Sequence, residues 1–166
     1  MAYDAQFAVP VTIFRLSEPY TEEWIFDEPL ARSYPLQIAS WAASGETIPV
    51  PTSVGKDWVH AKDVARAFLL AAGNESAQGE VFHIGGDAYL TWREFAEQVV
   101  NALGSSSPVE EKSLGDWPGD AHELNNLRLN IDKARTILRF EPEYPKSAFL
   151  KLIQAEASRW AEEATT

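Results

Sequence analysis

The sequence predicts an α/β fold, and three observations carry that prediction. Short β-branched apolar runs, VPVTIFRL at 9–16 and VFHI at 81–84, have the composition of strands buried on both faces of a parallel sheet. Longer stretches with apolar residues at helical spacing alternate with them, as in strand–helix–strand architectures. No internal repeat or low-complexity tract interrupts the alternation, and 166 residues suit one domain, 1–166. Hydrophobic residues make up 45%, with six Trp and eight Phe, so there is enough apolar bulk for a packed core.

Taken in order, residues 2–7 read as the tail of a helix and 9–16 as the first strand. The acidic, aromatic stretch 18–33, with Pro19 and Pro29, reads as a loop. A helix is expected from Tyr34 or Pro35 to Ser44, with Pro35 tolerated in its first turn and Gly45 ending it. Short strands follow at 47–50 and 57–59, separated by a turn. The spacing of Val64, Ala67, Phe68 and Ala71 predicts a helix over 62–72, closed by Gly73-Asn74. After the strand at 81–84, Thr91 and Glu94 form a capping-box pattern at the head of a helix reaching Leu103, and Gly104 closes it. Residues 105–126 are loop-rich, with one strand at 109–112. Two helices complete the chain: 131–138, with Asn130 as its cap, and 148–163, with Phe149, Leu152, Ile153 and Trp160 facing inward.

The formal charge of −11 repels phosphate backbones and anionic lipid, which argues against nucleic acid and membrane surfaces as partners. With no cysteine, disulfides and thiolate chemistry are excluded. No run is long enough to span a bilayer and no secretory signal precedes residue 10, so a cytoplasmic location is expected. His60, His83 and His122 stand at no metal-ligand spacing, so no metal is expected, and His83 reads as a core histidine within its strand. There is no nucleophile elbow and no P-loop. Gly85-Gly86 lacks the third glycine of a dinucleotide fingerprint and reads as a strand-to-loop turn. Read from its residues alone, the chain is an acidic α/β domain with no complete catalytic set.

Five segments, in order, resemble the C-terminal half of the extended short-chain dehydrogenase/reductases, the NAD-dependent epimerase/dehydratase family. Val11-Thr12-Ile13-Phe14-Arg15 followed by Tyr20 is similar to the family's strand leading into an Asn-x-Tyr-Gly-Pro loop. Gly45 to Val50 is the second segment. Lys56-Asp57-Trp58-Val59-His60-Ala61-Lys62-Asp63-Val64-Ala65, the most specific, resembles Arg-Asp-Phe-Val-His-Val-x-Asp-Val-Ala. Gly79 to Gly85 and Asn130 to Pro142 complete the set. The resemblance implies the C-terminal portion of a Rossmann-like fold: two sheet strands, helices, and small strands on the substrate side. It also implies a sugar or nucleotide-sugar as substrate, and it places Arg15, Glu18, Tyr20, Lys56, His60 and Trp117 at the substrate cleft. Asp63 is expected to cap the helix it begins, and the plainer roles of Arg15 and Tyr20 are a buried ion pair and simple packing.

The sequence departs from the family at informative places. Glu18 stands at the substrate-facing Asn, and Thr21-Glu22 at the Gly-Pro. Lys56 and Trp117 stand where the family has arginines that grip a diphosphate, and neither offers a bidentate fork. A smaller or less anionic substrate than a nucleotide diphosphate sugar fits these changes. The family's Gly-rich loop and Tyr-x-x-x-Lys pair belong to its N-terminal half, and Tyr3 has Phe7, not Lys, four residues on. NAD or NADP is thus expected only on completion by such a half, and no catalytic residue is assigned here.

Three readings follow: half of an enzyme completed by a Rossmann-half chain, a binding or assembly module derived from that family, and an unrelated small α/β protein. The first two need a partner, either a second copy or a different chain. A sheet face of several hundred Å² left uncovered costs on the order of ten kcal/mol at about 25 cal/mol per Å², which rivals a domain's net stability of about 5–15 kcal/mol.

Overall fold

A computed structural model describes residues 9–21 and 33–164. The helix expected at 2–7 lies outside the described residues, as does most of the stretch expected as a loop at 18–33. Seven strands are described: β1 (Ile13–Leu16), β2 (Glu18–Tyr20), β3 (Ile48–Pro51), β4 (Gly55–His60), β5 (Val81–Ile84), β6 (Ala88–Thr91) and β7 (Val109–Lys112). Five α-helices accompany them: α1 (Tyr34–Ser44), α2 (Ala61–Ala71), α3 (Trp92–Leu103), α4 (Asp132–Leu138) and α5 (Lys146–Glu163).

The strands form three small sheets. β1 runs parallel to β5, with Ile13 opposite Val81 and Arg15 opposite His83. β4 lies between β2, which is parallel to it, and β6, which is antiparallel. β3 and β7 form a third, parallel pair. The α/β class and the Rossmann-like arrangement expected from the sequence are thus observed.

Two hydrophobic cores meet at β4. Its Trp58 joins α1, α3, α5 and the strands β3 and β6 in the larger core, with Leu36, Ile48, Phe95, Phe149 and Trp160 fully buried. The next residue, Val59, points the other way, as strand alternation requires, into a smaller core with Phe82, Ile84, Ile131, Leu138 and Phe140.

Local sequence explains most element boundaries. Pro35 opens α1 and Gly45, in the left-handed region at φ 74°, closes it. The expected capping box at α3 is complete: Thr91 Oγ1 accepts from the Glu94 N–H, and the Glu94 carboxylate accepts from the Thr91 N–H. Burial alone would raise the Glu94 carboxyl, but the Thr91 N–H and hydroxyl, and then Lys146, outweigh it and hold the group below the usual range. Thr91→Ala should cost about 1 kcal/mol, read as a lowered urea midpoint at unchanged slope.

Elsewhere the structure differs from the sequence reading. The first strand is four residues, not eight, and is not covered on both faces: Val9 is 49% exposed, and Ile13 and Leu16 are each 37% exposed. Its apolar composition suits a strand with neighbours on both sides, whereas among the described residues only β5 pairs with it. Glu18–Tyr20 is a strand rather than loop; Pro19 is tolerated because β2 lies at a sheet edge. The short strand expected at 57–59 is the six-residue β4, buried throughout. Gly55 and the charged Lys56 hid where it begins. β6 was not anticipated. Asp63 does not cap α2. His60 does, accepting from the Lys62 N–H through Nδ1. Asp63 instead accepts from the backbone N–H groups of Glu143 and Tyr144 and pairs with Arg66. Asn130 accepts from the Asp132 N–H, so α4 starts one residue later than expected, and α5 starts two residues earlier, at Lys146.

Candidate functional site

Two adjoining cavities, of about 270 and 460 Å³, open beside β4 and share Tyr34, Asp120 and Glu123 in their walls. Glu18, Lys56, Trp58, Trp92 and His122 complete most of the smaller one. Trp41, Pro49, Trp117 and Pro118 line the larger. A concave space walled by aromatic rings with a few converging polar groups is the usual form of a small-molecule site.

The floor is built from β4 and the segment that runs beside it. Leu127 bridges to Lys56, with the Asp57 N–H donating to Leu127 O and the Leu127 N–H to Gly55 O. That pairing draws the 3₁₀ turn Ala121–Leu124 over the cavity. Two donors from the core then fix the turn: Lys56 Nζ donates to His122 O at 2.9 Å and Trp92 Nε1 to Glu123 O at 3.0 Å. The Glu123 side chain is held between the two cavities as a result.

Electrostatics here are dominated by carboxylates. Lys56 is only 2% exposed. Burial pushes its ammonium down from the ordinary lysine range, and Glu18 and then Glu123 pull it partly back. Burial, with Glu123 adding, raises the Tyr34 phenol far above its ordinary value. Its hydroxyl donates to Pro49 O, which anchors Tyr34 in the cavity wall. Glu123 is 9% exposed, and its Oε2 has no hydrogen-bond partner among the described residues.

Of the six residues expected at the cleft, the structure brings three to these cavities: Glu18, Lys56 and Trp117. Trp117 donates from Nε1 to Asp120 O and sets its ring edge-on to Tyr34. Tyr20 and His60 lie in the interior instead. The Tyr20 ring packs on Phe149 and edge-on to His60, and His60 stacks on Tyr144 at 3.8 Å between centroids. Arg15 lies exposed on β1, away from both cavities, so it is not the buried ion pair that its place in an apolar strand suggested. Tyr34, Asp120 and Glu123 escaped the sequence reading. Glu123 sits in a stretch with no periodicity, and the one available signal was its closeness to Trp117.

The glycine pair after β5 offers no phosphate cradle. A Cβ at Gly85 would run into the Asp57 carboxylate, and one at Gly86 into the Trp58 carbonyl. The space is filled by β4, and Asp57 already accepts from the Ala88 N–H. These residues do not fit a dinucleotide. Among the described residues no group of three His, Asp or Glu is arranged to hold a metal ion, and no helix is long and apolar enough to cross a membrane.

The model of the NAD-dependent epimerase/dehydratase family matches residues 1–85, half of the sequence. The chain belongs to that family. Among its relatives, the chloroplast stem-loop binding protein of 41 kDa b of Arabidopsis thaliana is 31% identical over 109 residues, 61% of this chain and 29% of that protein. The dTDP-glucose 4,6-dehydratase of Streptomyces niveus is 37% identical over 87 residues, 52% of this chain and 24% of the enzyme. Solved family structures superpose over almost the whole chain. An epimerase of Methanothermobacter thermautotrophicus gives a TM-score of 0.73 at 19% identity, covering 99% of this chain and 48% of that one. The dTDP-glucose 4,6-dehydratase of Bacillus anthracis, in complex with NAD, gives 0.67 at 25% identity, covering 98% and 48%. This chain therefore spans about half the length of the family structures it resembles.

Proposed function

We propose that this chain is the substrate-binding half of an NAD(P)-dependent sugar epimerase, dehydratase or reductase. A nucleotide-binding half carrying the Gly-rich loop and the Tyr-x-x-x-Lys pair would complete it. The observation that carries this reading is the outer edge of β1: a parallel strand, paired on one side only among the described residues, with Val9, Ile13 and Leu16 exposed beside it. A parallel edge of this kind is where a larger sheet continues. Phe14 and Phe68, in edge contact at 4.7 Å, extend the apolar flank onto α2, where Phe68 and Leu69 are exposed. In the completed protein, the cleft beside Lys56 and Trp117 would receive the sugar, and this chain would bind and orient it while the other half supplies cofactor and proton transfer.

Co-expression of the full chain with the N-terminal half of the Streptomyces niveus dehydratase tests the reading. The two are expected to co-purify at equal stoichiometry, to protect the β1 amides from hydrogen exchange, and to bind NADH, seen as enhanced nicotinamide fluorescence. Sedimentation of the chain alone should then show concentration-dependent self-association through the same flank. A strictly monomeric chain with protected β1 amides and no affinity for such a half would refute the proposal.

A further inference from the structure

The family fold brings with it the expectation of a diphosphate-bearing ligand, and the charges in this cleft oppose it. Among the described residues three carboxylates, Glu18, Asp120 and Glu123, face the cavities against one ammonium, that of Lys56. One N–H of that ammonium is already directed to His122 O, and its charge is offset by Glu18 and Glu123. Trp117 supplies a ring, not a cation, and among the described residues no arginine lines either cavity. Glu123 adds an independent observation. It is nine-tenths buried in the wall common to both cavities, and Oε2 accepts nothing from the described residues. Leaving a desolvated acceptor unsatisfied is costly, more so when it carries charge, so such a group is retained where a ligand supplies the donor.

From this arrangement we infer that the cleft takes a hydroxylated ring carrying a positively charged amine, an amino sugar or an equivalent amine-bearing polyol, and disfavours phosphate. The ammonium meets Glu123, with Glu18 as the second counter-charge. Ring hydroxyls donate to the remaining carboxylate oxygens, and the apolar face of the ring packs on the indoles of Trp92 and Trp117. Lys56 stays with His122 O and Glu18, holding the wall rather than gripping an anion. This inference rests on the cleft being the substrate site of the proposed half-enzyme, and it names the class of substrate.

Isothermal titration of the full chain with glucosamine, glucose and UDP-glucose separates the possibilities. Glucose carries a hydroxyl where glucosamine carries the ammonium, so the pair isolates the charge. About 0.15 M salt screens the attraction of the acidic surface as a whole, because the Debye length is then about 8 Å. Glucosamine is expected to bind about tenfold tighter than glucose, and UDP-glucose more weakly than either. Glu123→Gln should bring glucosamine down to about the affinity of glucose, abolishing the tenfold preference. Should that variant fail to fold, Glu18→Gln, at a half-buried position, should reduce the preference severalfold. Tighter binding of UDP-glucose than of glucosamine would overturn the inference while leaving the half-enzyme reading intact. A preference that survives both substitutions would also overturn it. If none of the three ligands binds, this inference and the assignment of the cleft as the substrate site fall together.

Discussion

Replacing Trp58 with alanine is expected to cost about 3–5 kcal/mol, the range for deleting a large buried aromatic ring. Trp58 lies 2% exposed at the centre of the larger core. It stacks on Phe95 and Phe149, with centroids 5.8 and 4.7 Å away, and meets Trp92 edge-on at 6.1 Å. Those rings come from α3 and α5, so the cavity would open between two helices and a strand that cannot close on one another. Against a typical net stability of about 5–15 kcal/mol, the loss brings the chain close to unfolding at room temperature. Trp58→Phe keeps the stack and should cost markedly less. Urea titrations of the two variants decide the matter: equal midpoints would mean that the ring cluster contributes little. Because Trp58 also forms part of the smaller cavity wall, the alanine variant should lose ligand affinity together with stability.

Asp63→Ala should have a comparably large effect, about 2–6 kcal/mol, from two stranded backbone donors at about 1–3 kcal/mol each. The Asp63 carboxylate is buried and accepts from the N–H groups of Glu143 and Tyr144 at 2.9 and 3.1 Å, 80 and 81 residues away in sequence. It also holds Arg66 at 3.0 Å. The alanine would leave both amides without an acceptor and detach the segment that leads into α5. Asp63→Asn keeps one acceptor oxygen and should recover part of the loss. Amide exchange gives the specific readout: Glu143 and Tyr144 should lose protection well before Val99 in α3. Uniform loss across the chain would contradict the local anchoring role.

Asp63 also shows how far sequence reasoning reached. Its place near the start of a helix is a correct signal for a cap, but the residue three positions earlier takes that role, and the acceptor is turned to a partner that only the tertiary fold brings near. The helices were legible because periodicity, Pro35, Gly45 and the Thr91–Glu94 box are local signals. β4 was half-legible: its centre, Asp57 included, reads as a strand, but Lys56 looks like a surface residue until the carbonyl of His122 is seen to satisfy it. Burial also pushes the Asp57 carboxyl up, a cost that the Ala88 and Gly86 N–H groups only partly offset. The resemblance implied a cleft at Glu18, Lys56 and Trp117, and all three line the two cavities. Glu123 was not among them. It becomes part of the cleft through the pairing of Leu127 with Lys56, a bridge between residues 71 positions apart that carries no pattern in the sequence.

The opposed directions of Trp58 and Val59 have a mechanical consequence. A strand whose successive side chains are keyed into separate cores cannot slide or rotate without disrupting both. Lys56, two residues along that strand, is therefore presented at a fixed depth and angle, and the turn it holds through His122 is fixed with it. Were the cleft to take a ligand as proposed, this part of its wall would need little ordering on binding. Changes of specificity would be sought in the side chains that cap the opening, with the strand beneath left untouched.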